Sequence, residues 1–402
     1  MNKKKTYIIT VIVTAVVVCF LTNVWRDISF VQNNGKILSK LGQIAGYLKE
    51  DGLYAVDEEK LIDYAALGMT LSVDDPYTNY YPKEQFENYT VNLKNSYVGL
   101  GIVLGVDEEQ NKIVVISPYE NGPGAKAGIL AGDYILAVDG TEYTAESFNE
   151  AVAQMRGQDS EEQEGGSVQL TVQRGDGTPF VVEVRREAVQ KETVTTKMLS
   201  DGIGYLRITA FDSKDQEDET AKDTFDEFQE GIQTLQDQGM DKLVLDLRDN
   251  PGGDLNVVSN IADQLLPEGI ITYTEDKDGE RSSTLYSDAN ELGVPMAVLV
   301  NGGSASASEV LTGALKDYQK ATIIGTKTYG KGIVQTVIPF SDGSGMSVTT
   351  AKYYSPSGVC IQDIGIEPDI AVELPQGLEK SIADLTAEED TQLQKAIEVL
   401  NQ

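Results

Sequence analysis

An uncharged apolar run at the start of the chain is the clearest feature of its hydrophobic pattern. Residues 7–25 carry no charge and come shortly after Lys3, Lys4 and Lys5. About nineteen residues at roughly 1.5 Å each give roughly 28 Å, close to the hydrocarbon thickness of a bilayer. The leading lysines favour a cytoplasmic tail over 1–6, so the pattern predicts a single-pass anchor in the cell membrane with the body outside the cytoplasm. A cleaved signal peptide is the alternative, although the run is long for one and no A-x-A site follows it.

The remaining chain shows further patterns that predict its domains. Residues 26–92 carry apolar positions at three-to-four spacing, which predicts a helical N-terminal region. Residues 93–190 are short β-rich runs with glycine-bearing turns, which predict a compact mostly-β domain, and the acidic stretch 157–166 predicts an exposed loop within it. Over 191–375, apolar strands alternate with amphipathic helices, which predicts an α/β fold with a largely parallel sheet. The acidic segment 376–402 is predicted to be helical.

Composition and charge exclude several classes of function. The 402 residues include 64 acidic and 32 basic side chains, and the formal charge of −32 argues against a nucleic-acid partner. The chain has no histidine, so His-based triads, Cys–His dyads and His-dependent zinc hydrolases are excluded. Cys19 and Cys360 lie far apart and form no CxxC pair, and no nucleotide-binding glycine pattern occurs. We therefore expect neither a metal nor a cofactor.

A candidate nucleophile lies in the segment MAVLV-NGGSASASEVL. A strand, a glycine turn and a helix would place serines at a helix N-terminus, where unpaired N–H groups point at a ligand. A serine there could attack a carbonyl while the next N–H binds the oxyanion. Ser304, Ser306 and Ser308 all qualify by spacing. A plain small-residue turn with Ser304 as N-cap fits the same pattern.

Two more glycine-rich turns contain candidate catalytic groups. In KLVLDLRDNPGGDL, Gly252 and Gly253 would let the backbone approach a ligand and donate to an oxyanion, or would simply turn the chain. In GTKTYGKGIVQT, Lys331 lies between two glycines. Without histidine, lysine is the best remaining base for a serine, but only as the neutral amine. Lowering its pKa from about 10.4 to about 7 costs roughly 4–5 kcal/mol and requires burial away from carboxylates. A solvated surface lysine is the alternative.

Gln335 follows Lys331 by four positions. If Gln335 orients Lys331, the segment GKGIVQ must form a helical turn, because in a strand the two residues would stand about 13 Å apart. The sequence thus predicts a local geometry that a structure can test.

Several segments together resemble a known protein family. They are DDPYTNYY, IGYLRITAF, DLRDNPGG, NGGSASASE, GKGIVQ and YYSPSGVCIQDIGIEPDI. Across roughly residues 35–375 the chain resembles the carboxyl-terminal processing peptidases, the tail-specific proteases of bacteria and chloroplasts. The resemblance implies a serine endopeptidase with a crotonase- and Clp-like β/α superhelix core, a PDZ domain and a helical N-terminal region that often forms homodimers.

The resemblance also implies roles for individual residues. The family pattern makes Ser306 the nucleophile, Lys331 the base and Gln335 the residue that positions the lysine. Its oxyanion donors correspond to the backbone amides of Ala307 and Gly252, with the following glycine as the near alternative. The family commonly has Arg-Ser where this chain has Val359-Cys360, which leaves specificity open.

The mostly-β segment resembles a PDZ domain, with YVGLGI as its carboxylate-binding loop. Backbone N–H groups around Gly99, Leu100 and Gly101 would hold a substrate C-terminus while the peptide adds a strand to the domain edge. Arg156 in the MRG segment is implied in coupling this domain to the protease. The expected partners are proteins or peptides with accessible C-termini. Two rival functions are a membrane-tethered peptide-binding scaffold without activity and a crotonase-like acyl-transferring enzyme.

Overall fold

The protein is described by a computed structural model. It covers residues 34–93, 96–119, 122–157, 165–214, 221–375, 377, 380–386 and 388–402. The predicted anchor and most of the acidic insertion lie outside these residues. Within the covered ranges, no helix combines the length and the apolar character needed to cross a bilayer. The described residues divide into two compact units, one formed by residues 34–83 with Val337–Val348 and the other by those of Glu84–Thr336 with Thr349–Gln402.

The first unit combines helices with a short sheet. Its elements are helix α1 over residues 34–50, helix α2 (Glu58–Thr70) and strand β1 (Asn79–Tyr81). The β1 strand pairs antiparallel with residues 345–347. The Tyr80 hydroxyl donates to Asp63 at 2.7 Å, which fastens β1 to α2.

The second unit begins with a β-rich domain. Its elements are α3 (Lys83–Asn92), β2 (Ser96–Gly99), β3 (Ile102–Asp107), β4 (Lys112–Pro118), α4 (Pro123–Lys126), β5 (Asp133–Val138), β6 (Thr141–Glu142), α5 (Phe148–Arg156), β7 (Ser167–Arg174), β8 (Phe180–Arg185) and β9 (Glu187–Gln190). Strands β3-β4-β5-β7-β8 form a sheet in that order, β6 pairs with β5, and β2 pairs with β9. Alternate β7 residues, Val168, Leu170 and Val172, are buried in one core with Ala151 and Met155 of α5. The predicted mostly-β domain is therefore confirmed.

The rest of the second unit is built on a largely parallel sheet. Its elements are β10 (Val194–Met198), β11 (Ile203–Ile208), α6 (Thr224–Asp237), β12 (Lys242–Asp246), α7 (Leu255–Leu265), β13 (Gly269–Glu275), β14 (Arg281–Ser287), β15 (Met296–Val300), α8 (Ala307–Asp317), β16 (Ala321–Gly325), β19 (Ile370–Ala371) and α9 (Thr391–Leu400). Strands β17 (Ile333–Pro339) and β18 (Gly345–Tyr354) are divided between the two units. The sheet order is β10-β11-β12-β15-β16-β19, and every pair except β10–β11 is parallel. Strand β13 pairs antiparallel with β14 and with residues 352–354.

Both faces of this sheet are covered, which explains the continuous apolar runs in its strands. In β12, Leu243 and Leu245 pack in the cluster that contains the buried residues of α6, α7 and α8. Val244, between them, packs with Ala396 of α9 on the other face. Since neighbouring residues of a strand face opposite sides, a sheet buried on both sides needs apolar residues at every position. The predicted mixed α/β architecture is confirmed, and the superhelical arrangement stays a prediction.

A buried ion cluster fastens the C-terminal helix to the end of β12. Arg248 is fully buried and donates to Asp246 at 2.6 Å, to Asp390 at 2.8 Å and to Gln392 at 3.0 Å. Burial opposes the charge, but the hydrogen bonds to Asp390 and Asp246 outweigh it and raise the pKa of Arg248 above its ordinary value. Asp390 is also the N-cap of α9, so one carboxylate supports both the cluster and the helix.

Replacing this carboxylate tests the cluster. We expect Asp390→Ala to lower the free energy of unfolding by about 3 kcal/mol, because the buried guanidinium loses one of its two anionic partners. Urea denaturation followed by circular dichroism measures the change. The matched control is Glu388→Ala, which removes an exposed carboxylate near the same helix end and should change stability by less than about 0.5 kcal/mol. Equal midpoints for the two variants would contradict the assignment.

Candidate active site

Ser306 lies at a sharp junction between a buried strand and a helix. Strand β15 ends at Val300, and α8 begins at Ala307 with Ser306 as its N-cap. Ser306 has φ 55° and ψ −115°, a conformation that serine rarely adopts. Such a conformation costs about 1–3 kcal/mol and persists only where its surroundings hold it in place. The geometry therefore has the form of a strained nucleophile turn at a helix N-terminus.

The structure separates the three candidate serines. The hydroxyl of Ser304 donates to the Leu247 carbonyl at 2.8 Å, and that of Ser308 donates to the Asn250 carbonyl at 2.9 Å. Both side chains are fully buried, whereas Ser306 is partly exposed. Ser304 and Ser308 thus fasten the turn to the segment after β12. Of the three, only Ser306 presents its side chain where a substrate could reach it.

One buried carboxylate joins the Ser306 turn to the Lys331 loop. Glu309 is 1 % exposed. Its Oε2 accepts the N–H of Ser306 at 2.9 Å and that of Lys331 at 2.8 Å. Its Oε1 accepts the N–H of Gly330 at 2.8 Å and the hydroxyl of Thr328 at 2.5 Å. The backbones of the candidate nucleophile and the candidate base are therefore held by a single side chain.

Glu309 was not among the residues predicted from the sequence, although part of the signal was present. Ser306 and Glu309 have the spacing of a capping box, in which the third helical residue reaches back to the N-cap N–H. The partners in the Lys331 loop are distant along the chain, and no local pattern reveals them.

The backbone next to Lys331 is fixed on both sides. The N–H of Gly332 donates to Gln362 Oε1 at 2.8 Å, and its carbonyl accepts the N–H of Tyr353 at 2.8 Å. A Cβ added at Gly332 would lie 2.5 Å from the backbone nitrogen of Gln362. The glycine after Lys331 therefore allows two stretches of backbone to pack in direct contact.

Gln335 does not have the predicted local geometry. Lys331 and Gly332 lie in a loop, and strand β17 begins at Ile333, so the helical turn that we required for a contact between Lys331 and Gln335 is wrong. The Gln335 side chain donates to Thr349 Oγ1 at 3.4 Å. The role of Gln335 stays a prediction.

The NPGG turn lies directly against the Ser306 turn. Gly252 has φ 105°, which favours glycine. A Cβ added there would lie 2.8 Å from Ser306 Cβ and 2.9 Å from the Ala307 nitrogen. Any side chain at position 252 would collide with the Ser306 turn, so the close approach of the two turns depends on this glycine.

The two glycine amides of the NPGG turn differ in their surroundings. The N–H of Gly252 donates to Asn250 Oδ1 at 2.9 Å. Gly253 forms a parallel bridge with Phe211, in which the Gly252 carbonyl accepts the Phe211 N–H. The second bond of the bridge runs from the Asp254 N–H to the Phe211 carbonyl, so Gly253 itself makes neither bond and its N–H is directed away from Phe211.

A groove lies between strand β3 and helix α5 of the β-rich domain. Its volume is about 210 Å³, and Gly99 and Leu100 line it together with Val152 and Met155 of α5. Gly101, the third predicted loop residue, does not line the groove; its carbonyl accepts the Tyr119 N–H at 2.9 Å. The predicted carboxylate-binding loop thus lies at the groove as a PDZ arrangement requires.

Arg156 is the last residue of α5 and lines one end of this groove. Its Nη1 donates to Asn88 Oδ1 at 2.7 Å, on helix α3. Its predicted part in coupling the two domains stays a prediction.

Across the covered residues, no cluster of three or more acidic or cysteine side chains could hold a metal ion.

Comparison with known proteins gives independent findings. The family model for peptidase family S41 matches residues 202–372, and that for the PDZ domain matches residues 98–185. The carboxy-terminal-processing protease of Bartonella bacilliformis is 40% identical over 354 residues, which cover 86% of this chain and 77% of that protein. The carboxyl-terminal-processing protease of Synechocystis is 34% identical over 337 residues, which cover 83% of this chain and 75% of that protein.

A solved structure from Bacteroides fragilis, of a protein assigned to the S41 proteases, has the same overall fold. The TM-score is 0.51 at 17% sequence identity, over 86% of this chain and 90% of that one. At that identity the match describes the fold alone.

The four donors around Glu309 lead to a prediction. Glu309→Gln keeps the size of the side chain but replaces one acceptor oxygen by an NH₂ donor, which would face two hydrogen-bond donors. We expect the free energy of unfolding to fall by about 2 kcal/mol. Labelling of Ser306 by a fluorophosphonate probe should slow by about 100-fold, because the turn loses its position.

Glu367→Gln is the matched control for this variant. It makes the same chemical change at an exposed glutamate that pairs with Lys327 on the surface. Stability and labelling should both remain those of the wild type. Wild-type labelling in Glu309→Gln would show that the carboxylate does not position the serine.

Proposed function

The chain belongs to the carboxy-terminal processing proteases of peptidase family S41, and from that membership we propose that it cleaves proteins with a Ser306–Lys331 dyad. Like its relatives it is a serine peptidase with a PDZ domain, and it acts on protein substrates. The main support for this dyad is that one carboxylate holds the backbones of both residues. Glu309 accepts the N–H of Ser306 at 2.9 Å and that of Lys331 at 2.8 Å. The partial exposure of Ser306 beside two buried serines supports it as the nucleophile.

In the proposed mechanism Lys331 acts as a neutral amine. It takes the proton of the Ser306 hydroxyl as Oγ attacks the peptide carbonyl and forms a tetrahedral intermediate. Lys331 then gives that proton to the leaving amine as the peptide bond breaks. Water hydrolyses the acyl-enzyme by the same steps, with Lys331 again accepting and returning one proton.

The oxyanion of the intermediate would be bound by backbone amides. Ala307 is the first residue of α8, where the N–H groups of a helix have no partner within the helix. The second donor would come from the NPGG turn, which lies against Ser306 and Ala307. For the Gly252 amide, the oxyanion would have to compete with Asn250 Oδ1, whereas the Gly253 amide faces away from its bridge.

Gln335 belongs to the proposal through the family pattern alone. Its side chain donates to Thr349 here, and β17 holds it in an extended backbone. Because its Nε2 makes the bond to Thr349, orienting Lys331 would fall to its Oε1, which can accept a hydrogen bond from the lysine. A Gln335→Ala variant with wild-type turnover would remove it from the mechanism.

The PDZ groove supports recognition of substrate C-termini. Its walls are mostly apolar, and the loop with Gly99 and Leu100 lies at one end. A peptide that adds a strand to β3 would place its terminal carboxylate at that loop. Apolar, poorly folded tails should therefore be preferred. Equal cleavage of substrates with free and amidated C-termini would contradict this preference.

We also propose a membrane-anchored dimer outside the cytoplasm. The support for the anchor is the apolar run 7–25 after three lysines, and fractionation with protease accessibility in intact cells would test it. The support for a homodimer is the number of exposed apolar side chains on α1 and α2. They include Ile37, Leu38, Ile44, Tyr47, Ile62 and Tyr64. A monomer in sedimentation velocity would contradict it.

Two substitutions test the dyad. We expect Ser306→Ala and Lys331→Ala each to lower the cleavage of an unfolded reporter protein by at least about 1,000-fold, because nucleophile and base act as a unit. Time courses of reporter cleavage by the full-length proteins measure the loss. Lys327→Ala is the matched control, since it removes an exposed lysine of the same loop and should retain full activity.

The outcomes separate the rival functions. Cleavage by both variants at the wild-type rate would mean that the site is wrong. An inactive wild type that also resists a fluorophosphonate probe would indicate a peptide-binding scaffold.

A further inference from the structure

Tyr97 lies directly against the start of the carboxylate-binding loop. It belongs to β2 and pairs with Val189 of β9. Side chains two positions apart on a strand share a face, so Tyr97 lies on the same side as Gly99. A Cβ added at Gly99 would lie 2.5 Å from Tyr97 Cε2 and 2.9 Å from Cδ2. The aromatic ring thus occupies the space that a side chain at position 99 would take.

The ring lies at the end of the groove where a peptide carboxylate would bind. Tyr97 lines the groove together with Leu100 of the loop and with Met155 and Arg156 at the last turn of α5. Phe148, at the first turn of α5, lines the other end. Tyr97 therefore shares the loop end of the groove with a cationic side chain.

The hydroxyl of Tyr97 lies among groups that suit a carboxylate. Burial is the main cause that raises the pKa of Tyr97 to about 12, and Tyr119 adds to it. The positive charge of Arg156 and a hydrogen bond with the Gly101 backbone act in the opposite direction. A backbone N–H of the loop and a guanidinium are the groups that a peptide C-terminus would use. The phenol oxygen is bonded to that backbone group, and the guanidinium acts on it through its charge.

We propose that Tyr97 closes the carboxylate end of the PDZ groove in the peptide-free protein, and that a substrate C-terminus must displace its ring to bind. This inference rests on the proposed recognition of C-termini. It adds that the Tyr97 side chain competes with the substrate carboxylate for the same end of the groove. Because the open state is only a fraction of the population, the apparent affinity for peptides falls by that fraction.

The closure bears on which substrates are selected. A terminal carboxylate alone would replace the contacts of the phenol with similar ones. The remaining walls of the groove include Leu104, Phe148 and Val152, which offer apolar contacts upstream of the terminus. Tails with apolar side chains before the terminal residue would gain these contacts and open the groove. Tails with polar side chains there would leave it closed.

Peptide binding to the full-length protein tests the closure. All measurements use Ser306→Ala, so that the peptide is not cleaved, and record the fluorescence anisotropy of a labelled apolar peptide with a free or an amidated C-terminus. We expect Tyr97→Ala to bind the free-carboxylate peptide about 10-fold more tightly, which corresponds to a groove that is open about a tenth of the time. The amidated peptide should show no such gain.

Tyr97→Phe separates the hydroxyl from the ring. It keeps the ring against Gly99 and should tighten binding by about threefold, the size of one lost hydrogen bond. Its matched control is Tyr134→Phe, which removes a hydroxyl that donates to Asp107 away from the groove and should leave peptide affinity unchanged. If Tyr97→Ala fails to fold, as judged by its thermal transition, Tyr97→Phe carries the test alone.

Two results would overturn the inference in different ways. If the free-carboxylate peptide binds the wild type as expected but binds the Tyr97 variants equally or more weakly, the closure is wrong and tail recognition stands. If free and amidated peptides bind every protein alike, recognition of C-termini fails and the closure fails with it. Neither result depends on the Ser306–Lys331 dyad.

Discussion

The carboxylate of Glu309 is the interaction on which the candidate site depends. Four donors from two separate segments converge on its two oxygens, and only an ionised carboxylate offers acceptors alone in that number. One of these bonds, from the Ser306 N–H, helps to hold Ser306 at a positive φ that serine does not favour. A backbone bond from the Tyr329 N–H to the Ser304 carbonyl at 3.0 Å joins the same turn and loop, and Glu309 adds three bonds to the loop.

The topology of the sheet brings the other parts of the site to the same place. The NPGG turn follows β12, the SASAS turn follows β15 and the GKG loop follows β16. These strands are parallel neighbours in that order, so their carboxyl ends lie along one edge of the sheet. Glycines at 252 and 332 then let the backbones touch. The parallel order of the strands thus brings the three turns together, and close backbone contacts at the glycines complete the site.

Much of this could be predicted from the sequence because it follows from local patterns. Unbroken apolar runs followed by glycine turns predicted the parallel strands and the turns at their ends, and alternating runs predicted the mostly-β domain. The choice among the three serines could not be predicted from spacing, because it depends on burial and on the carbonyls of Leu247 and Asn250. The helical turn for Gln335 was wrong because Ile333 begins a strand, a choice made by long-range pairing that the short motif does not reveal.

Buried charged side chains fix the position of backbone segments on both sides of the NPGG turn. Arg248 precedes the turn and is held by Asp246 and Asp390, whereas Glu309 lies beyond it and is held by N–H and hydroxyl donors. Burying an ion is costly even when it is paired, and apolar side chains would fill the same volume with less penalty. Directional bonds, however, fix the position of backbone segments, which apolar packing does less strictly. The proposed mechanism uses backbone amides and a lysine and requires those positions to be fixed, which would explain why charges occupy an otherwise apolar core.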